Sequence, residues 1–227
     1  NGNPIDRITQ AEAAIDMRWS WKEKYVEDGL QRLYLSSKQP VVHFTIAGGE
    51  ATVDDKQQWY ARFHTTLKHH FYVGLGEVQY AVEGGMIFGS LPYTMLEIPR
   101  GNKTYGLYSY DFNLLDYLEF ANDKYINVYA DYHLNGFFFN RMPLLKRLGL
   151  REVVGFKGII GDLDDRHSSV IDYPSNLRPL NGGYLEVNAG VENIFRFFRL
   201  DAIWRVTPKS ITGAPSFGIR AQFNIKL

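Results

Sequence analysis

Polar and apolar residues alternate one by one along most of this chain, and the alternation comes in blocks. Ala11, Ala13, Ile15, Met17, Trp19 and Trp21 interleave with Glu12, Asp16, Arg18, Ser20 and Lys22. In the longest block Trp59, Ala61, Phe63, Thr65, Leu67, His69, Phe71 and Val73 oppose Tyr60, Arg62, His64, Thr66, Lys68, His70 and Tyr72. Successive side chains of a strand point to opposite faces, so each block predicts a β-strand with one dry and one wet face. The same pattern predicts strands at 42–46, 78–82, 126–134, 150–161, 185–192 and 198–206, and a short one near 105–110. Turns are expected at Gly74-Leu75-Gly76 and near Asn193. The terminal block is the most regular: Ile219, Ala221, Phe223, Ile225 and Leu227 alternate with Arg220, Gln222, Asn224 and Lys226. It reads as a closing strand, whose exposed edge must be paired to hold its shape. The total is roughly ten strands, with almost no helical periodicity. Long loops rich in Gly, Pro, Asn and Asp are expected at 86–104, 137–147 and 162–183.

Antiparallel strands joined by connections of unequal length predict an all-β barrel or sandwich. Alternation alone does not say which face is covered. A soluble ligand-binding barrel turns its apolar residues inward, whereas a membrane barrel turns them outward. Two features favour the membrane. The Trp59–Val73 block exceeds the usual strand length of about 5–6 residues. Aromatic pairs also bracket it, Trp59-Tyr60 at one end and Phe71-Tyr72 at the other. About twelve residues at about 3.3 Å each, tilted by about 45°, span roughly 28 Å, close to the apolar band of a membrane barrel.

Composition narrows the function classes. Lys plus Arg balances Asp plus Glu at 25 each among 227 residues, so no broad nucleic-acid surface is expected. The absence of cysteine excludes disulfides and thiolate zinc sites. No apolar run is long enough for a transmembrane helix, which says nothing about a barrel. The chain opens Asn1-Gly2-Asn3-Pro4, with neither Met nor a signal segment. We therefore expect it to be the C-terminal portion, 1–227, of a larger protein whose first strands and any periplasmic domain lie elsewhere.

The wet faces carry as many acids as cations. Arg62, Lys68, Asp131, Glu186, Arg199, Asp201, Arg205 and Arg220 are expected to face a lumen. A strongly selective pore shows one sign in excess, so this mixed lining predicts a charge-paired, plugged or loop-filled wall. Asp162, Asp164 and Asp165 form the most metal-like cluster, yet EF-hand spacing is missing and an acidic turn is the ordinary reading. The histidines show no His-Glu-x-x-His spacing, and there is no Gly-x-Ser-x-Gly. Glu77 and Asp131 offer carboxylates at no fixed separation. Neither catalytic residues nor a cofactor site are expected.

Several stretches resemble one family: Phe88-Gly89-Ser90-Leu91-Pro92-Tyr93, Pro99-Arg100-Gly101-Asn102-Lys103-Thr104-Tyr105, Phe112-Asn113-Leu114-Leu115-Asp116-Tyr117, Glu119-Phe120, Asn135 to Glu152, and Gly190 to Arg196. They resemble uncharacterised outer-membrane barrels of Bacteroidota, which often carry an N-terminal carboxypeptidase-regulatory-like domain. That family is in turn similar to the Omp85 superfamily, barrels of roughly sixteen strands that insert or translocate other proteins. The resemblance implies a non-enzymatic role in outer-membrane biogenesis or in protein or lipid transport. Membrane lipids, lipopolysaccharide and other outer-membrane proteins are the implied partners. It places 100–120 where the superfamily has a long loop folded back into the lumen. The superfamily's Arg-Gly-aromatic signature is missing there, and Arg151-Glu152-Val153 is the nearest counterpart. The residues leave open a non-transporting accessory barrel, an outer-membrane hydrolase with Ser, His and Asp at one rim, and a soluble ligand-binding barrel.

Overall fold

The computed structural model describes residues 7–29, 31–34, 39–180, 182–207 and 213–223. Its strands are β1 (Ile8–Ser20), β2 (Tyr25–Asp28), β3 (Gln31–Tyr34), β4 (Val41–Val53), β5 (Lys56–Val73), β6 (Gly76–Phe88), β7 (Phe120–Ala121), β8 (Lys124–His133), β9 (Arg151–Asp162), β10 (Arg178–Pro179), β11 (Tyr184–Ile194), β12 (Phe198–Thr207) and β13 (Phe217–Phe223). Among the described residues one short α-helix, α1 (Pro143–Leu148), and three single 3-10 turns accompany the strands. Nine strands make one antiparallel sheet in the order β1-β4-β5-β6-β8-β9-β11-β12-β13. The hairpin β2–β3 and the parallel pair β7–β10 stand apart from it.

Local chemistry explains the meander. Asp54 and Asp55 both take positive φ between β4 and β5, as a two-residue hairpin of matching twist requires. Gly74 does the same between β5 and β6. Asn193 near the end of β11, and Phe195 and Arg196 just after it, carry positive φ at the expected turn into β12.

Register then decides which residues share a face. Arg62 lies opposite Ala47 on one side and Ile87 on the other. Lys68 faces Ala81, Asp131 faces Gln79, and Glu186 faces both Lys157 and Arg205. Arg199 pairs with Gln222, and Asp201 with Arg220. All eight residues expected to line the lumen therefore lie on one face of the sheet. Apart from β1, which is exposed on both faces, that face is the covered one. The opposite, apolar face is open: Ile15 is 65 % exposed, Ile160 63 %, Ile219 52 % and Phe223 71 %.

The sheet curls toward its polar side. β9 and β11 separate β8 from β12, so a flat sheet would hold β8 and β12 about 14 Å apart. Arg199 of β12 nevertheless reaches Asp131 of β8 at 2.9 Å. Inward glycines make room for this cluster. A Cβ on Gly190 would collide with the Asp201 carboxylate and come within 2.8 Å of the Leu200 carbonyl oxygen.

Three expectations need correction. No strand forms over 105–110; Gly106 makes a single bridge to Ala221, because amide side chains shape this stretch as a compact turn. Thirteen strands form among the described residues, nine of them in the main sheet, against the roughly ten expected in all. The 137–147 region contains α1, started by Pro143 in its first turn and stopped by left-handed Gly149. Within β13, Ile219, Ala221 and Phe223 share the open face of the sheet. Asn224, Ile225, Lys226 and Leu227 lie outside the described residues, as do Asn1-Gly2-Asn3-Pro4. β13 pairs with β12 along one edge. Among the described residues no strand pairs with the outer edge of β1, and the sheet is open.

Gly190→Ala should cost about 1–3 kcal/mol through overpacking. Gly158→Ala, whose Cβ would meet only ordinary contacts, 3.6 Å from the Tyr184 carbonyl oxygen, should be neutral or slightly stabilising. Denaturant midpoints followed by tryptophan fluorescence check both. Equal midpoints would show that Gly190 makes no essential room.

Candidate functional site: a loop seated on the polar face

The connection from β6 to β8 has the Gly and Pro of a loop, yet it also carries many apolar side chains. Leu91, Leu96, Leu107, Phe112, Leu114 and Leu115 are all buried. Phe112 and Leu115 pack with Phe120 against Ala81, Tyr125, Tyr129, Ile159 and Tyr184 of the sheet's polar face. Tyrosine suits this junction, since its ring supplies apolar contact while its hydroxyl keeps a polar partner. The Tyr184 hydroxyl donates to Glu186 at 3.0 Å, and that of Tyr129 donates to Glu83 at 3.4 Å.

Charged wall residues grip the loop's backbone. The Glu186 carboxylate accepts from the N–H groups of Asn113 (2.7 Å) and Leu114 (3.0 Å). The Lys157 ammonium donates to the carbonyls of Tyr108 and Asp111, the latter at 2.6 Å. Arg220 donates to the Asn113 carbonyl at 2.8 Å. Arg205 donates twice to Glu119, at 2.6 and 3.1 Å, with these side chains 1 % and 0 % exposed. Arg178 adds a third bond to Glu119 at 3.1 Å. From the loop side, Arg100 reaches both Glu83 oxygens at 2.9 Å.

Of the eight expected wall residues, Glu186, Arg205 and Arg220 hold the loop directly. Lys68 sits 4.2 Å above the Tyr110 ring, a further loop contact. Asp131, Arg199 and Asp201 form a separate cluster within the wall, with Arg199 bonded to Asp201 at 2.7 Å through two nitrogens. Arg62 pairs with Glu12 at 2.5 Å across to β1, in a half-exposed setting where such a pair contributes little. The sequence reading missed Glu119 and Lys157 as loop holders. Lys157 sits between Gly155 and Gly158, which blur the period of β9. Glu119 carries no local signal, because its partners lie far along the chain.

Other chemistry is thinner. Asp162 accepts from the Leu163 N–H at 2.9 Å and Asp164 from the Arg166 N–H at 3.0 Å, so both serve as turn caps. The Asp165 backbone carbonyl accepts from Ser168. Among the described residues no group of three or more His, Cys, Asp or Glu is arranged for a metal ion. His64 meets the Tyr125 hydroxyl at 2.7 Å, His133 meets Glu192 at 2.9 Å, and buried His167 lies 3.3 Å from Asp123. Arg151-Glu152-Val153 opens β9 at the sheet's rim, away from the loop over 100–120. A cavity of about 370 Å³ remains beside the loop, lined in part by Ser109, Tyr110, Asp131, His133, Lys157 and Arg199. The ionic groups among these are already engaged with protein partners.

The loop also carries a titratable group. Burial raises the Glu97 carboxyl from 4.5 to about 7, with nearby Arg100 lowering it and Glu83 raising it. The folded state thus binds the Glu97 proton more tightly than the unfolded one. Its contribution is complete below the unfolded value and is lost as pH rises through about 7, a change of order 3 kcal/mol. Protease cleavage within 103–110 should accelerate from about pH 5 to about pH 8, after correction for protease activity, and Glu97→Gln should flatten the profile. An unchanged slope in the variant would reject this assignment. Glu119→Gln should speed the same cleavage more strongly, because leaving Arg205 without its buried counter-charge costs about 3–5 kcal/mol. Arg62→Gln should leave it nearly unchanged.

No curated protein matches this chain. One family model does, described as the C-terminal domain of a family of unknown function (DUF5686), over residues 1–168. The matched span contains β1 to β9 and the whole seated loop. By that match, the chain belongs to the family of unknown function DUF5686, as its C-terminal domain.

Proposed function

We propose that this chain forms part of the wall of a transmembrane β-barrel in a Gram-negative-type outer membrane, with its interior occupied by the 89–121 segment. The observation that carries this reading is the inverted polarity of the sheet. Soluble monomers rarely expose a contiguous apolar patch above a few hundred Å². Here the apolar face of nine strands lies open, while most of the charged face from β6 to β12 is buried and paired. Hydrocarbon is the solvent that such a surface fits.

Aromatic residues support the same reading. Near one rim Trp19 packs edge-on to Trp21, Phe71 on Tyr80, and Phe197 and Phe198 on Phe223. Near the other rim Trp204 packs on Phe217, and Trp59 and Phe88 are exposed. Two such bands match the girdles at the two membrane–water boundaries. Closure into a barrel of roughly sixteen strands needs further strands beyond β1 and β13.

The similarity to Omp85 barrels carries the proposal of a non-enzymatic role in outer-membrane biogenesis or in protein or lipid transport. Membrane lipids, lipopolysaccharide and other outer-membrane proteins are its partners in this reading. A second reading, a non-transporting accessory barrel, is favoured by the tightness of the loop's anchorage through the buried Glu119–Arg205 pair. Depleting the protein and taking a census of outer-membrane proteins separates them: a changed census supports biogenesis, and an unchanged one supports the accessory role.

The barrel itself is tested by Phe156→Lys, in the middle of β9 on the open face. A lysine at mid-membrane costs about 2–4 kcal/mol, so the variant should assemble poorly and lose heat-modifiable migration on gels. A wild-type protein released by alkaline carbonate, and unaffected by this charge, would overturn the reading.

A further inference from the structure

We propose that the rim segment 137–148, between β8 and β9, is an interfacial anchor that lies on the headgroup layer of an anionic phospholipid bilayer. The inference rests on the reading of the sheet as membrane-spanning and goes beyond it in naming the segment and the headgroup chemistry. Phe138, Met142, Leu144 and Leu148 all stand exposed, Leu144 at 70 %. Leu144 and Leu148 are four residues apart on α1 and share one side of it. An exposed apolar cluster on a connecting loop has no use in water.

Its charge points to the occupant. The whole chain is balanced, yet Arg141, Lys146, Arg147 and Arg151 follow one another here with no Asp or Glu between Asn135 and Arg151. The nearest acid, Glu152, is 8 % exposed and accepts from the N–H groups of Phe138 and Phe139. Lys146 and Arg147 have no carboxylate partner among the described residues. Apolar side chains beside unpaired cations are the composition of a segment that sinks into a bilayer boundary and meets phosphate headgroups.

The segment is built to hold that posture. The Glu152 carboxylate fixes the turn ahead of α1, and the Asn193 amide donates to the Gly149 carbonyl at 2.6 Å behind it. The Arg141 guanidinium lies 4.3 Å over the Phe137 ring, and that ring packs edge-on against Phe138. The segment also continues an aromatic band. It springs from the sheet end where His133 pairs with Glu77 and Arg151 with Glu192, the same rim that carries Phe71, Phe198 and Phe223.

These 227 residues contain no cysteine, so a label is unique within them once any cysteine elsewhere in the protein is replaced by serine. Leu144→Cys and, separately, Phe156→Cys, in the middle of β9 on the open face, would each carry an environment-sensitive fluorophore in the full-length protein, reconstituted in phosphatidylcholine vesicles with or without phosphatidylglycerol. The Leu144→Cys label should be quenched by lipids bearing a nitroxide near the headgroup and resist aqueous iodide. Its lipid quenching should rise about twofold with phosphatidylglycerol, and R141E/K146E/R147E should abolish that rise. The Phe156→Cys label should respond to deep nitroxides alone. A Leu144→Cys label reached by iodide, or shielded from both quenchers as by a protein partner, overturns the anchor if the Phe156→Cys label still reports deep lipid. Equal quenching in both vesicle types overturns the anionic-headgroup assignment. A Phe156→Cys label that no lipid quenches sinks the membrane-spanning reading together with the anchor.

Discussion

The inverted polarity of the nine-stranded sheet is the constraint on which the rest of the structure depends. Once the apolar residues face outward, every ionic side chain on the inner face must find a partner inside. Glu186 takes two backbone N–H groups and a tyrosine hydroxyl, Arg205 takes Glu119, and Arg199 takes Asp131 with Asp201. The network is least complete at Asn122 and Asp123, where buried side-chain atoms lack hydrogen-bond partners. Those residues lie beside the point where the seated loop rejoins the sheet.

Two kinds of interaction hold that loop, and they do different work. Full burial of residues such as Leu91, Phe112, Leu114 and Leu115 contributes about 1.5–3 kcal/mol each. The buried ion pairs contribute little net, because desolvation offsets their attraction, but breaking one strands its partner. Apolar burial therefore drives the seating, and the charged contacts fix the register. Glu186, for example, bonds consecutive N–H groups and so admits one alignment of Asn113 and Leu114.

The same distinction explains what the sequence made legible. Strand faces obey a strict period of two, so the set from Arg62 to Arg220 that shares one face could be read directly from alternation. Which face is covered could not, because alternation is symmetric; the apolar loop residues break that symmetry by packing on the polar side. The loop's grip was illegible for another reason. Its bonds run from side chains to backbone groups many residues away, as from Lys157 to Tyr108 and Asp111, and backbone acceptors leave no mark in a sequence. The helix α1, with its six residues, is too short to establish a helical period. The stretch over 105–110 alternates like a strand, but Asn102 and Asn113 turn it with side-chain amides before a ladder can form.

One consequence joins the interior to the sheet's edge. The segment that carries Asn113 into the grip of Glu186 and Arg220 also sends Tyr105 and Leu107 to the free edge of β13. There the Ala221 N–H donates to the Tyr105 carbonyl at 2.9 Å, and the Leu107 N–H donates to the Ala221 carbonyl at 2.7 Å. These are the groups that a further strand would use to extend the sheet past β13 at this register. A strand pairing through Ala221 must therefore displace the loop locally, and whatever locks the loop inside also guards that part of the edge. Seating of the loop on the polar face and availability of the edge are thus linked through the short stretch between Tyr105 and Asn113.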